Sequence, residues 1–137
     1  MSTDGFTKEE KAAMRAKVAE EKAQKTRADG EKAVAEAIKA MPKADRELAQ
    51  FIHDTVTKQA PHLAPRTWYG MPAYANDEGV VCFFQAADKF KARYATFGFN
   101  DKAQLDDGAM WATGFALKEL TAESRKKIEA LVKKAAG

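Results

Sequence analysis

Apolar residues recur at intervals of three and four through most of the first 60 positions, a spacing typical of amphipathic helices. Residues 7–28 are predicted to form one helix, but its apolar side is thin and the rest is mostly Lys, Glu and Ala. Helices with fuller apolar faces are predicted over residues 31–41 and 46–59, and each is followed by a proline. Asp29-Gly30 is predicted to separate the first two helices, and Asp45 is predicted to cap the third. The pattern therefore predicts a charged helical arm (residues 1–28) followed by one folded domain (residues 29–137).

Beyond residue 65 the apolar spacing changes to that of extended strands. Four strands are predicted, over residues 67–74, 80–85, 91–99 and 111–117, and turns rich in Asn, Asp and Gly separate several of them. A last helix is predicted to begin at Thr121. Because tight turns join antiparallel neighbours, the prediction is an α+β fold: an antiparallel sheet of about four strands with helices mainly on one face.

The predicted strand over residues 80–85 is apolar at both alternating sets of positions, so both of its faces need cover. Helices can cover one face. The arm, a second subunit or a ligand could cover the other.

Composition narrows the classes of function. The chain has 137 residues and a formal net charge of +3, from 23 basic and 20 acidic residues. This basic excess is too small and too evenly spread to indicate a nucleic-acid partner. A single cysteine, Cys82, excludes an intrachain disulfide and fits a reducing compartment. No apolar run approaches the roughly 20 residues that cross a bilayer, so the expected location is the cytoplasm, away from membranes.

The aromatic segment TWYGMPAY, residues 67–74, is the candidate binding site. Such aromatics form protein core more often than a ligand site, but Pro72 cannot donate to a strand ladder and Gly70 allows close approach of another group. The sequence therefore also permits an aromatic pocket at a sheet edge, with a basic strand face beside it that includes Lys91. The candidate ligand-binding residues are Trp68, Tyr69, Gly70, Met71, Tyr74, Lys89 and Arg93.

Several segments together resemble the YdhG-like family of small bacterial domains, described as frataxin-like and in places labelled iron chaperones. They are WYGMPAY, VVCFF, KFKARYATFGF and LDDGAMWATGFALKELT, and the resemblance covers roughly residues 30–135. It implies a curved antiparallel sheet and, for some members, iron bound through surface carboxylates. The acids of the arm are interleaved with lysines, so the candidate metal ligands are Asp101, Asp106 and Asp107, although Asp-Asp-Gly is also typical of a turn.

No sequence motif for a nucleophile, a phosphate-binding loop or a nucleotide site appears, so the chain is predicted not to be an enzyme. The predicted function is a non-enzymatic cytoplasmic binding module for an unidentified small molecule or protein. The alternatives are a frataxin-like iron chaperone and a protein whose charged arm docks to a partner or to nucleic acid, and homodimer formation stays open.

Overall fold

The computed structural model describes residues 6–137. Its four helices are α1 (Lys8–Ala23), α2 (Arg27–Lys39), α3 (Lys43–Gln59) and α4 (Ala122–Ala136). Thr7, Thr26 and Thr121 each begin a helix with a capping box. The threonine hydroxyl accepts from the backbone N–H of the third helical residue, and the side chain of that residue accepts from the threonine backbone N–H. None of the helices in this part of the chain is long and apolar enough to cross a membrane.

The break between the first two helices lies at residues 24–26, so the prediction that Asp29-Gly30 separates them was wrong. Asp29 completes the capping box of Thr26, and Gly30 lies inside α2. A β-carbon at Gly30 would overlap the carbonyl oxygen of Pro65. The glycine therefore allows helix and strand backbones to touch, and it does not mark a turn.

The α+β prediction is confirmed, but the sheet has five strands instead of about four. They are β1 (Ala64–Trp68), β2 (Met71–Asn76), β3 (Gly79–Gln85), β4 (Ala95–Phe99) and β5 (Gly114–Leu117), antiparallel and in chain order across an open sheet. The extra strand arises because residues 67–74 do not form one strand. A two-residue turn at Tyr69-Gly70 folds them into the β1–β2 hairpin, in which Trp68 pairs with Met71.

The basic strand face predicted beside the pocket is absent, because residues 86–94 form turns and irregular structure before β4 begins. Lys91 has a φ of 51°, in the left-handed region, which is incompatible with a strand. Lys89, Lys91 and Arg93 are exposed on this connection instead.

One face of the sheet packs against helices and forms the core. Strand register places Tyr74, Cys82 and Phe99 in one row on this face, where they meet apolar residues of α2, α3 and α4. Burial here supplies most of the stabilisation, at about 25 cal/mol for each Å² of apolar surface removed from water.

The opposite face is covered, near β3, by side chains of the sheet itself. Ala73, Phe83 and Gly98 are register partners across three strands, and the Phe83 ring occupies the space above Gly98. Trp68 packs against Phe83, with ring centroids 5.4 Å apart. The second apolar face of β3 therefore contributes to a small aromatic layer that continues to the edge of the sheet.

The contact between α2 and β1 yields a testable pair of substitutions. Gly30→Ala gains about 1 kcal/mol of helix propensity but forces a β-carbon into the Pro65 carbonyl, and overpacking of this kind costs about 1–3 kcal/mol. We expect a net loss of up to about 2 kcal/mol in the free energy of unfolding, measured with urea. Gly114→Ala is the control, because nothing lies within 4 Å of its added carbon. Equal stability of the two variants would contradict the described contact.

Candidate functional site

The β1–β2 turn holds a tyrosine in an unfavourable backbone conformation. Tyr69 and Gly70 have φ values of 50° and 77°, so both central residues of this two-residue turn are left-handed. Asn-Gly is the sequence usually found in such turns, since a bulky L-residue costs about 1–2 kcal/mol in this region. Tyr69 is nevertheless 47% exposed, so burial of its ring does not explain the choice of residue.

Glu20 of α1 and Gln24, which caps the C-terminus of that helix, hold this end of the hairpin. The Glu20 carboxylate accepts hydrogen bonds from the backbone N–H of Tyr69 (2.7 Å) and of Gly70 (2.8 Å). The Gln24 amide accepts from the Thr67 N–H (2.7 Å) and donates to the Thr67 carbonyl (3.1 Å). Helix α1 has no buried residue, so these polar contacts, more than apolar packing, fix it against β1.

Aromatic and cationic side chains gather around the turn. The rings of Trp68 and Tyr69 meet edge to face with centroids 5.1 Å apart, and Lys17 of α1 places its ammonium 5.3 Å from the Tyr69 ring centre. The Lys89 ammonium lies 3.4 Å from the Gly70 carbonyl oxygen. A β-carbon at position 70 would only displace the flexible end of Lys89, so the φ of Gly70 is the reason that glycine is favoured there.

A shallow groove runs between Tyr69 and the exposed side of α1. We call it the Tyr69 groove, and its volume is about 420 Å³. Met14 and Val18, which are 38% and 49% exposed, supply its apolar wall. The complete lining is Phe6, Glu10, Ala13, Met14, Lys17, Val18, Glu21 and Tyr69.

The structure brings together Trp68, Tyr69, Gly70 and Lys89 of the residues predicted from sequence. Met71 pairs with Trp68 but is buried. The other two candidates, Tyr74 and Arg93, lie elsewhere.

Tyr74 is fully buried on the helix-covered face of the sheet, and Arg93 stacks its guanidinium over the ring of Tyr94, 5.1 Å from its centre. Both were included on the assumption that residues 67–74 and 91–99 are continuous strands. That assumption is wrong, because a hairpin turn interrupts the first segment and an irregular connection takes up the first part of the second. Neither residue lines the Tyr69 groove.

Sequence reasoning missed Lys17, Glu20 and Phe83 as members of the site. Lys17 and Glu20 lie about 50 positions before Tyr69, and nothing in the local sequence links them to it. Phe83 could have been found, because strand alternation places it on the face opposite Cys82.

Two buried groups with shifted ionisation lie in the core, away from the groove. Burial raises the pKa of the Cys82 thiol to about 12. Burial, with the negative charges of Cys82 and Asp54, also raises the pKa of the Tyr74 phenol well above its usual value. The Tyr74 hydroxyl lies 3.1 Å from Nδ1 of His53, which gives the buried phenol a hydrogen-bond partner.

The predicted metal ligands are not assembled. Asp101, Asp106 and Asp107 are exposed, and residues 6–137 contain no group of three or more His, Cys, Asp or Glu side chains placed to hold a metal ion. Iron binding therefore stays a prediction from the resemblance alone.

Comparison with protein-family models, curated proteins and solved structures gives no match for this chain. The resemblance to YdhG-like domains accordingly stays a prediction from sequence.

Neighbouring glutamates of α1 provide a matched test of how the turn is held. Glu20→Ala removes two charge-assisted hydrogen bonds, and we expect it to lower the free energy of unfolding by about 1–2 kcal/mol. Glu21→Ala removes only an exposed pair with Lys17 (3.7 Å), which contributes about 0.5 kcal/mol or less. Urea unfolding of both variants checks this expectation. A larger loss from the Glu21 variant would refute the role of Glu20.

The raised pKa values predict sensitivity to alkali. Because Cys82 and Tyr74 are held neutral in the folded protein, their contribution to stability is complete below the unfolded pKa values of about 9 and 10. Above those values it is lost, at about 1.4 kcal/mol per pH unit for each group, until the folded pKa is reached. Tyr74→Phe should flatten the slope of unfolding free energy between pH 10 and 12, measured by urea unfolding at each pH. An unchanged slope would show that Tyr74 ionises freely in the folded state.

Proposed function

We propose that the protein is a non-enzymatic binding module that holds a small molecule with a flat apolar group in the Tyr69 groove. The observation that carries this proposal is the conformation of Tyr69. A half-exposed aromatic residue occupies a left-handed position that Asn or Gly would fill with less strain, and Glu20 holds its backbone there. Strained residues held by their surroundings cluster at ligand-binding sites.

The chemistry of the groove favours a planar ligand. Tyr69 presents ring surface for stacking, Trp68 supports that ring by edge-to-face contact, and Met14 and Val18 provide adaptable apolar contact on the opposite side. The Lys17 ammonium would favour a ligand that also carries a negative charge. A volume of about 420 Å³ lies within the range of about 300–1,000 Å³ that small-molecule sites occupy.

The location of the shifted ionisable groups supports binding without catalysis. Active sites commonly expose groups with perturbed pKa values to a cleft. Here Tyr74 and Cys82 are both buried in the core on the helix-covered face. A thiol with a pKa of about 12 is also a poor nucleophile near neutral pH.

Three sequence-based expectations accompany this proposal. The single cysteine favours a reducing compartment, so we place the protein in the cytoplasm. The relationship to YdhG-like domains and the division into an arm (residues 1–28) and a domain (residues 29–137) are proposed on the sequence patterns alone.

The decisive variant is Tyr69→Asn, which installs the favoured Asn-Gly turn. We expect the variant to be about 1 kcal/mol more stable than the natural chain, because the strain is relieved, and to bind ligand about tenfold or more weakly. Ligands would be found by titrating mixtures of small aromatic compounds while recording backbone amide shifts and Trp fluorescence. Phe90→Asn is the control, since Phe90 is another exposed aromatic residue near Lys89 and lies outside the groove.

Binding that leaves Trp68, Tyr69 and Val18 amides unshifted would contradict the proposal. So would equal affinity of the Tyr69→Asn variant.

A second candidate function is docking of an acidic partner protein to α1, favoured by an apolar recess of about 440 Å³ that Lys11, Arg15 and Lys22 flank. In that case Lys11→Glu would abolish association and Tyr69→Asn would not.

A further inference from the structure

A second cavity lies at the start of β1. We call it the β1 cavity; it has a volume of about 490 Å³ and opens between the first turn of α2, the beginning of β1 and the β2–β3 turn. Two alanines paired across the strands, Ala64 and Ala75, form part of its floor, so no large side chain fills it. Unlike the Tyr69 groove, it is lined mostly by polar and charged residues.

Arg66 lines this cavity and has an unsatisfied donor. Its Nε atom is buried and has no hydrogen-bond partner, the only such buried side-chain atom found among residues 6–137. Its guanidinium forms no ion pair within the same part of the chain. Buried polar atoms are nearly always hydrogen-bonded, so a guanidinium that no acceptor of the described residues holds can turn its donors toward a ligand in the cavity it lines.

Other positive groups converge on the same space. Lys25 lines the cavity and has no ion pair within the described residues. Arg27 is fixed there, because Nη2 donates to the carbonyls of Pro61 (2.9 Å) and Leu63 (3.3 Å). The N-terminus of α2, which Thr26 caps, adds the positive end of the helix dipole.

We propose that the β1 cavity binds the phosphate group of a small ligand, with Arg66 and Lys25 donating to its oxygens. Three cationic groups on separate elements can each meet a different oxygen of a tetrahedral anion, whereas a flat carboxylate offers only two oxygens. The remaining volume leaves room for the body of a phosphorylated molecule. This site is separate from the Tyr69 groove and does not depend on the function proposed for it.

Acidic groups near the cavity limit its affinity. Asp77 lines it from the β2–β3 turn, and Asp29 lies in the first turn of α2, where it accepts from the Thr26 N–H. Glu31 pairs with Arg27 at 3.2 Å and offsets part of its charge. Binding of inorganic phosphate is therefore expected at a dissociation constant on the order of 1 mM, with tighter binding for a ligand that also uses the rest of the cavity.

The test follows the Arg66 Nε–H resonance by NMR while inorganic phosphate is added to the full chain at constant ionic strength. We expect a saturable shift of that resonance and of the amides of residues 25–28. Lys25→Ala should weaken binding about tenfold, since one charge-assisted contact is lost. Sodium acetate and glycerol 3-phosphate are titrated in the same way: weak acetate binding supports a phosphate site, and tighter binding of the ester identifies a phosphorylated small molecule in preference to free phosphate.

Arg66→Met distinguishes a ligand-binding arginine from a structural one. Because the Nε donor has no partner, we expect this variant to keep or raise the thermal midpoint in phosphate-free buffer while losing the stabilisation that phosphate gives the natural chain. Arg46→Met, which replaces an exposed arginine of α3, is the control and should retain the phosphate response.

Three results would overturn the proposal. The first is the absence of a saturable shift at Arg66 with phosphate in the tens of millimolar. The second is an equal or stronger response to acetate. The third is an Arg66→Met variant that is less stable without phosphate yet still stabilised by it.

Discussion

The free edge of β1 is the constraint on which the rest of the structure depends. An edge strand exposes N–H and C=O groups that need partners, and an open edge can pair with another chain. In this protein Gln24 bonds both backbone groups of Thr67, and Arg27 bonds the carbonyls of Pro61 and Leu63 just before the strand begins. Side chains from the helical segment thus take the place of a sixth strand.

The same contacts position both candidate sites. Glu20 continues the row of hydrogen bonds past the end of β1 and holds the strained turn at Tyr69, which makes α1 one wall of the Tyr69 groove. On the other side, the short connection from Gln24 to the start of α2 forms one wall of the β1 cavity. The same residues therefore protect the sheet edge and form the candidate sites. Helix α1 has no buried residue, and hydrogen bonds to backbone groups of β1 and its turn hold it in place.

The sequence predicted those parts of the fold in which local pattern and tertiary packing agree. The apolar faces of α3 and α4, the start of α4 at Thr121 and the α+β class all followed from it. Asp45 was expected to cap the start of α3. Its buried carboxylate instead accepts hydrogen bonds from the backbone N–H groups of Ala87 and Asp88, in the connection after β3. The β1–β2 hairpin was missed since Tyr-Gly lacks the usual Asn-Gly signal, and the position of Tyr74 was misjudged as a result.

The structure brings together the predicted site residues that are neighbours in sequence and separates those whose inclusion depended on the predicted strands. Trp68, Tyr69 and Gly70 are adjacent, and Gly70 could be recognised as a point of close approach. Glu20 and Tyr69 are 49 positions apart in the sequence. Nothing in the sequence around Arg66 indicates that its Nε lacks a hydrogen-bond partner. Strand parity, turn type and helix docking have to be known before such residues can be placed on a common surface.

Hydrogen exchange of individual backbone amides tests the central claim most directly. If α1 closes the edge of β1, the amides of Thr67, Tyr69 and Gly70 should exchange as slowly as amides paired within the sheet, although they lie at an edge and in a turn. Exchange at these three positions as fast as at Asp107, in an exposed turn, would show that the edge is open and that the account is wrong.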